Sequence, residues 1–180
     1  MKSITLKNSG ETITFVKTGR DTNGAYTEII CTVPAGQKGP PSHIHLLQDE
    51  SFEVIKGKLE LHADGKKVVL EQGQSFNVKA KTAHTFSNPS GEEVNFRATY
   101  SPALNIDYFL AEGFEALNKH SNPEKPSFQM FVDFDFMLKQ IPGQYKFAGM
   151  PSFVFTFIAA IGKLFAKPKA KSLAEHNASF

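Results

Sequence analysis

A run of short, alternating apolar segments between residues 11 and 100 limits the fold more than any other feature of this sequence. Residues 12–16 and 94–100 alternate apolar and polar side chains with a period of two, as half-buried strands do. Between two further apolar segments lies Asp64-Gly65, a strong signal for the tight turn of a β-hairpin. Many short strands at close, even spacing predict a β-sandwich or a β-barrel.

The pattern changes to a helical one in the last part of the chain. Residues 106–118 place apolar side chains on one stripe of a helix. Residues 128–141 predict a second helix, which ends at Pro142-Gly143, and residues 151–164 are a third candidate. We therefore predict a mainly β unit followed by a helical extension.

Charge and cysteine content exclude several classes of protein. The chain has 20 Lys and Arg against 18 Asp and Glu, a net charge of +2, so it lacks the basic surface of a nucleic-acid-binding protein. We expect no nucleic acid partner. The single cysteine, Cys31, allows no internal disulfide, and the first residues lack the apolar core of a signal peptide. These two features predict a cytoplasmic location.

Residues 147–162 contain no charged side chain, and a basic tail follows them. A membrane-spanning helix needs about 20 mostly apolar residues, and this segment is shorter and interrupted by glycine and proline. An apolar helix with a basic end can also lie on an anionic membrane surface. The interpretation we favour is a helix that covers the barrel or a sister subunit. It predicts a homodimer and argues against a membrane partner.

Three histidines and one glutamate form the candidate site. In a strand, residues i and i+2 point to the same face, so His43 and His45 place both imidazoles on one side. Glu50 follows shortly, and His84 lies beyond the predicted hairpin. Imidazole and carboxylate ligands together suit Fe, Mn, Ni, Cu, Zn or Co. We therefore predict one divalent transition metal at His43, His45, Glu50 and His84, with open coordination positions for a substrate.

Glycines near these residues complete two spaced motifs: His43-x-His45-x4-Glu50-x6-Gly57 and Gly73-x10-His84-x3-Asn88. They resemble the first and second motifs of the cupin superfamily, in which the same residue types bind metal. The stretch from Gly39 to Val54 is similar to small single-domain cupins related to quercetin dioxygenase. The resemblance covers about residues 33–102.

This resemblance implies a jelly-roll barrel, also called a double-stranded β-helix. We place a cupin barrel domain at residues 1–102 and the C-terminal helical extension, which packs on the barrel or on a dimer partner, at residues 103–180.

In the second motif, proline and then glycine usually precede the histidine. This chain has Lys79 and Lys81 there, in the turn that leads into the strand of His84.

The resemblance also implies a metal-dependent dioxygenase that acts on a small aromatic or enolic substrate, with Glu50 as a catalytic base. Strand alternation directs Phe52, Val54 and Phe86 inward, where they either line the substrate pocket or simply fill the barrel. Two alternatives stay open, because one fold supports many reactions. They are a non-redox metal-dependent isomerase or lyase and a non-catalytic cupin that binds a small molecule.

The other three histidines do not belong to either motif. For His62, His120 and His176 we favour an ordinary role, on the surface or as a satisfied core residue.

Overall fold

Two antiparallel sheets form the body of the molecule in the computed structural model, which describes residues 1–119, 127–149 and 151–179. The strands of both sheets are β1 Lys2–Thr5, β2 Thr12–Lys17, β3 Thr27–Val33, β4 His43–His45, β5 Asp49–Lys56, β6 Lys58–Ala63, β7 Lys66–Glu71, β8 Ser75–Val78, β9 His84–Ser87, β10 Val94–Ser101 and β11 Tyr145–Phe147. The order is β1-β2-β3-β10-β5-β8 in one sheet and β11-β4-β9-β6-β7 in the other.

In the described part of the chain, the helices after the barrel strands are α1 Ile106–Lys119, α2 Phe128–Gln140, α3 Ser152–Gly162 and α4 Leu173–Ser179. The α1 helix packs against α2 and β1, and α2 packs against α3. The mainly β fold with C-terminal helices is therefore confirmed.

The hairpin predicted at Asp64-Gly65 joins β6 to β7. Ala63 pairs with Lys66 across the turn. Asp64 and Gly65 have φ angles of 51° and 71°. A two-residue turn with both φ angles positive matches the right-handed twist of the flanking strands, which is why Asp-Gly is favoured there.

The space between the sheets is filled by the inward side chains of alternating strands. Along β3, every second residue from Thr27 to Val33 is buried. Cys31 lies opposite Phe96 of β10, and Ala98 of the same strand lies opposite Phe52 of β5. All four side chains belong to one hydrophobic core, so the period-two alternation of the sequence defines the interior of the barrel.

The C-terminal part contributes a strand as well as helices. Strand β11 pairs antiparallel with β4, so Tyr145 lies opposite His45 and Phe147 lies opposite His43. The sequence analysis predicts only helices after residue 102, because a segment of three residues is too short to show a strand period. Sheet pairing thus links the chain beyond that residue to the strand that carries two candidate ligands.

Helix α3 leaves large apolar side chains in solvent. Phe153 and Phe157 lie one turn apart and are 76% and 65% exposed, and Leu164 and Phe165 beyond the helix are also exposed. Within the described residues, the helices are all too short or too polar to cross a bilayer.

A buried carboxyl group lies at the start of the barrel. Glu11 directly precedes β2 and is almost fully buried. Burial disfavours the charged form and raises the pKa of Glu11 from the ordinary value of 4.5 to about 7. Between these two values the folded protein keeps a proton that the unfolded chain has lost. The free energy of unfolding therefore falls as the pH rises through this window.

We predict that Glu11→Gln removes this pH dependence, because an amide carries no charge to desolvate. Wild-type protein should lose about 3 kcal/mol of unfolding free energy between pH 4.5 and pH 7 from this group. Urea denaturation at pH 5 and pH 8 measures it. Glu92→Gln changes an exposed glutamate and should show the same difference in unfolding free energy between pH 5 and pH 8 as the wild type. An unchanged difference in Glu11→Gln would contradict the assignment.

Candidate metal centre

The four candidate ligands converge inside the barrel. His43 and His45 point to the same side of β4, Glu50 comes from β5, and His84 begins β9 directly opposite His43. All four side chains are buried. One ligand atom from each, a ring nitrogen or a carboxylate oxygen, lies within 4.8 Å of the others. The structure therefore brings together the set that the sequence predicts.

Backbone carbonyls orient two of the imidazole rings. His43 Nδ1 lies 3.0 Å from the carbonyl oxygen of Pro41, and His84 Nδ1 lies 3.0 Å from that of Thr82. A carbonyl oxygen only accepts, so each Nδ1 must carry the proton and donate it. In a neutral ring this leaves Nε2 as the lone-pair donor, directed at the centre of the cluster.

A buried glutamine orients the third ring. Gln48 Nε2 donates to the carbonyl oxygens of Pro102 and Ala103, at 2.8 and 2.7 Å. These bonds turn Gln48 Oε1 toward His45 Nδ1, 3.3 Å away. The amide oxygen can only accept, so His45 also holds its proton on Nδ1 and presents Nε2 to the cluster.

The donor set fits a cation. Glu50 Oε2 lies 2.7 Å from His84 Nε2 and 3.2 Å from His45 Nε2. With each Nδ1 proton fixed, these Nε2 atoms either carry a second proton, which they donate to Glu50, or offer a lone pair to a cation. Across the described part of the chain, His45 Nε2 finds no hydrogen-bond partner with acceptable geometry. A divalent cation among these atoms would satisfy the carboxylate and the lone pairs together.

The charges within the cluster support the same assignment. Burial, followed by the nearby His45 and His84 rings, lowers the pKa of His43 to about 3, so this ring is neutral. Burial alone would raise the pKa of Glu50, but hydrogen bonds and charge from His45 and His84 hold it below its usual range. Burial lowers the pKa of His84, and Glu50 more than offsets this. Glu50 is therefore an ionised carboxylate that attracts a positive charge.

Two tyrosines at the cluster were missed by sequence reasoning. Tyr100 of β10 pairs with Glu50, and its ring lies 5.4 Å from His45. Burial and then the charge and hydrogen bonding of Glu50 raise the pKa of Tyr100 well above its usual value. Tyr145 of β11 stacks on His43 with a centroid distance of 5.1 Å. Alternation along residues 94–100 could have placed Tyr100 inward, whereas no local signal identifies Tyr145.

Residues 29–100, which contain both motifs and all four converging side chains, match the family described as the cupin domain. This part of the chain is a cupin domain. The comparison therefore agrees with the jelly-roll barrel and supports a metal at the three histidines and the glutamate.

Two fungal proteins are similar over this region. "Oxidoreductase iacF" of Pestalotiopsis fici is 36% identical over 85 residues, which cover 46% of this chain and 42% of that protein. "Probable oxidoreductase virH" of Hypocrea virens is 34% identical over 84 residues, covering 46% of this chain and 38% of that protein. The match thus spans less than half the length of either relative. The crystal structure of an RmlC-like cupin from Shewanella frigidimarina is 22% identical, covers 58% of this chain and 86% of its own, and has a TM-score of 0.49.

The two lysines of the second motif leave the cupin site assembled. Lys81 takes a φ angle of 70°, a left-handed conformation that glycine adopts freely and that costs other residues about 1–2 kcal/mol. Its N–H donates to the carbonyl oxygen of His45 at 2.7 Å. Lys79 Nζ lies 2.8 Å from Asp49 Oδ2, beside Glu50. The turn is thus held by contacts to both ligand-bearing strands, and His84 reaches the cluster.

The three residues predicted to line a pocket are all buried in the core. The ring of Phe52 lies 6.2 Å from His84 and 6.3 Å from Phe86. Phe52 therefore lies next to both His84 and Phe86. Val54 is buried two residues further along β5. Their part in substrate binding stays a prediction.

Two of the other histidines lie in different surroundings. His62 is exposed on β6 and contacts Glu60 at 2.8 Å. His176 of α4 is buried, with its Nδ1 3.4 Å from Glu112 Oε1. These environments agree with a surface residue and a satisfied core residue. His120 lies outside the described residues.

We predict that His84→Ala weakens metal affinity at least ~10-fold, since even the loss of a group that only orients a ligand has an effect of that size. Isothermal titration with Mn²⁺ and with Zn²⁺ measures the change. His62→Ala, which removes an exposed imidazole, should bind as the wild type does. Equal affinities for both variants, in proteins with wild-type circular dichroism, would remove His84 from the ligand set.

Proposed function

We propose that the cupin domain binds one divalent transition metal through His43, His45, Glu50 and His84 and catalyses the oxidation of a small organic substrate. The observation that carries this proposal is the buried set of three imidazoles and one carboxylate, with ligand atoms within 4.8 Å of one another. The names of the two fungal relatives, both oxidoreductases, favour a redox reaction over a non-redox one.

Within this proposal the reaction is a dioxygenase reaction on an aromatic or enolic compound. A bound redox-active metal, such as Fe, Mn, Ni or Cu, would supply the electron transfer that reactions with dioxygen require. The protein's task is to bind the substrate, orient it and keep water out. Burial of all four candidate ligands provides the dry surroundings in which electrostatic interactions are strong.

Glu50 is the residue best placed to move a proton. Its carboxylate is ionised, because the neighbouring His45 and His84 hold its pKa below the usual range although burial opposes this. The ionised form is the one that can accept the proton of a substrate hydroxyl or enol group that enters the cluster, and the lowered pKa makes it a weaker base than a free glutamate. Tyr100 pairs with Glu50 across β10 and β5, and its ring lies 5.4 Å from His45, so it borders this carboxylate.

Oxygen consumption tests the proposal directly. Protein reconstituted separately with Fe²⁺, Mn²⁺, Ni²⁺, Cu²⁺ and Co²⁺ is assayed against flavonols, β-diketones and catechols. Glu50→Gln, at a metal concentration that saturates it, should lower turnover by about 10²-fold or more if Glu50 is the base. His62→Ala is the matched control and should retain wild-type turnover.

Either of two other results would indicate a different function. Turnover that persists without oxygen and with Zn²⁺ would indicate an isomerase or lyase that uses the metal only to polarise its substrate. Tight binding of a small molecule with no turnover in any metal form would indicate a non-catalytic binding protein.

The assembly and location of the protein belong to the same proposal. We place a homodimer contact on the exposed apolar side chains of α3, including Phe153 and Phe157, because burying them would remove apolar surface from water. Residues 103–180 would then pack on the barrel and also form the dimer contact. Cys31 is free and buried, which suits a reducing, cytoplasmic environment.

A further inference from the structure

A second feature lies next to the cupin barrel. It is an apolar cavity of about 500 Å³ between the barrel and helices α1, α2 and α3. Its volume falls within the range of small-molecule sites, roughly 300–1,000 Å³. Six phenylalanines supply much of its wall: Phe109, Phe114, Phe131, Phe134, Phe147 and Phe155. They come from α1, α2, β11 and α3, all beyond the region that matches the cupin domain.

The inner end of this cavity borders the candidate metal centre. Tyr145 lines the cavity, and its ring stacks on His43 at 5.1 Å. Phe109 contacts the same tyrosine at a centroid distance of 4.3 Å. Pro41 also lines the cavity, and its carbonyl oxygen accepts the hydrogen bond from His43 Nδ1. Two neighbours of one candidate ligand therefore form part of the cavity wall.

The lining determines the chemical class of the ligand. Of the described residues around the cavity, Glu11 is the acidic one and Lys38 the basic one. Lys38 is exposed to solvent, and burial raises the pKa of Glu11 to about 7, so about half of these side chains are neutral at pH 7. Aromatic side chains bind flat apolar molecules through burial and through offset or edge-to-face ring contacts. A neutral aromatic molecule fits this lining, whereas a sugar phosphate would leave its charges unpaired.

We propose that this cavity binds the hydrophobic body of the substrate, a neutral aromatic compound, with its reactive end at Tyr145 beside the metal centre. The inference rests on the proposed function and narrows its substrate class from aromatic or enolic compounds to neutral aromatic ones. It also assigns the C-terminal extension a role, because α1, α2, α3 and β11 build the site.

Gly113 allows the cavity to be filled from its wall. It lies on α1 and lines the cavity, and a Cβ atom there would be 3.8 Å from the ring of Phe134, an ordinary contact. Alanine and leucine are both better helix formers than glycine, so neither substitution should prevent folding. Gly113→Ala adds one methyl group, whereas Gly113→Leu occupies much more of the space.

The probe is N-phenyl-1-naphthylamine, a neutral aromatic dye whose emission rises in apolar surroundings. We expect saturable binding of one dye per chain, weakened about twofold in Gly113→Ala and at least tenfold in Gly113→Leu. Val69→Ser removes an exposed apolar side chain of β7 that is not part of the cavity lining and should leave dye affinity unchanged. Loss of binding in Val69→Ser, retention in Gly113→Leu, or no binding by the wild-type protein would overturn the proposal.

Metal content separates this inference from the proposed function. Gly113→Leu should retain the metal content of the wild type while losing both dye binding and turnover of aromatic substrates. Full turnover in Gly113→Leu would show that the substrate binds elsewhere, although the metal-dependent reaction would stand. Dye binding by a wild-type protein that takes up no metal would support the cavity and contradict the metal-dependent function.

Discussion

Three hydrogen bonds at Nδ1 hold the histidines of the cluster in position, and the chemistry of the site depends on them. The acceptors are the carbonyl oxygens of Pro41 and Thr82 and the side-chain oxygen of Gln48. Each can only accept, so each ring must donate from Nδ1 and present Nε2 to the cluster. A buried carboxylate facing such lone pairs is electrostatically incomplete, and a cation supplies what is missing. The local backbone of β4 and β9 thus fixes which atoms are available to a metal.

The C-terminal extension is tied to this site by several contacts. Gln48 reaches its orientation by donating to Pro102 and Ala103, at the point where the chain leaves β10 for α1. Strand β11 extends the sheet beside β4 and places Tyr145 against His43. The helices then enclose the apolar cavity whose wall Tyr145 shares. A change at Tyr145, or at the backbone carbonyl groups that hold Gln48, is therefore expected to alter the centre even where the barrel is intact.

The sequence predicts the parts of the molecule that local patterns specify. The alternation at residues 94–100 predicts β10, the Asp64-Gly65 pair predicts its hairpin, and the apolar stripe at residues 106–118 predicts α1. The shared face of His43 and His45 also follows from spacing, since i and i+2 share a face of a strand. That Glu50 and His84 join them is what the resemblance to the two cupin motifs implies.

Tertiary structure determines the rest. Tyr145 approaches the cluster through a strand of three residues that pairs across a long sequence separation, and nothing in its neighbourhood signals this. Lys81 departs from the usual motif, and whether its backbone can adopt the conformation of this turn depends on tertiary contacts. Its backbone takes the left-handed conformation because the contact with His45 and the surrounding turn stabilise it.

The central claim is that His43, His45, Glu50 and His84 jointly bind one metal ion. The most direct measurement is the anomalous diffraction of a crystal grown without chelators, recorded on both sides of the absorption edge of the metal found by elemental analysis. The account predicts a single strong peak ~2.0–2.2 Å from three Nε2 atoms and a Glu50 oxygen. A reconstituted crystal with no peak there, or with its peak elsewhere, would contradict it.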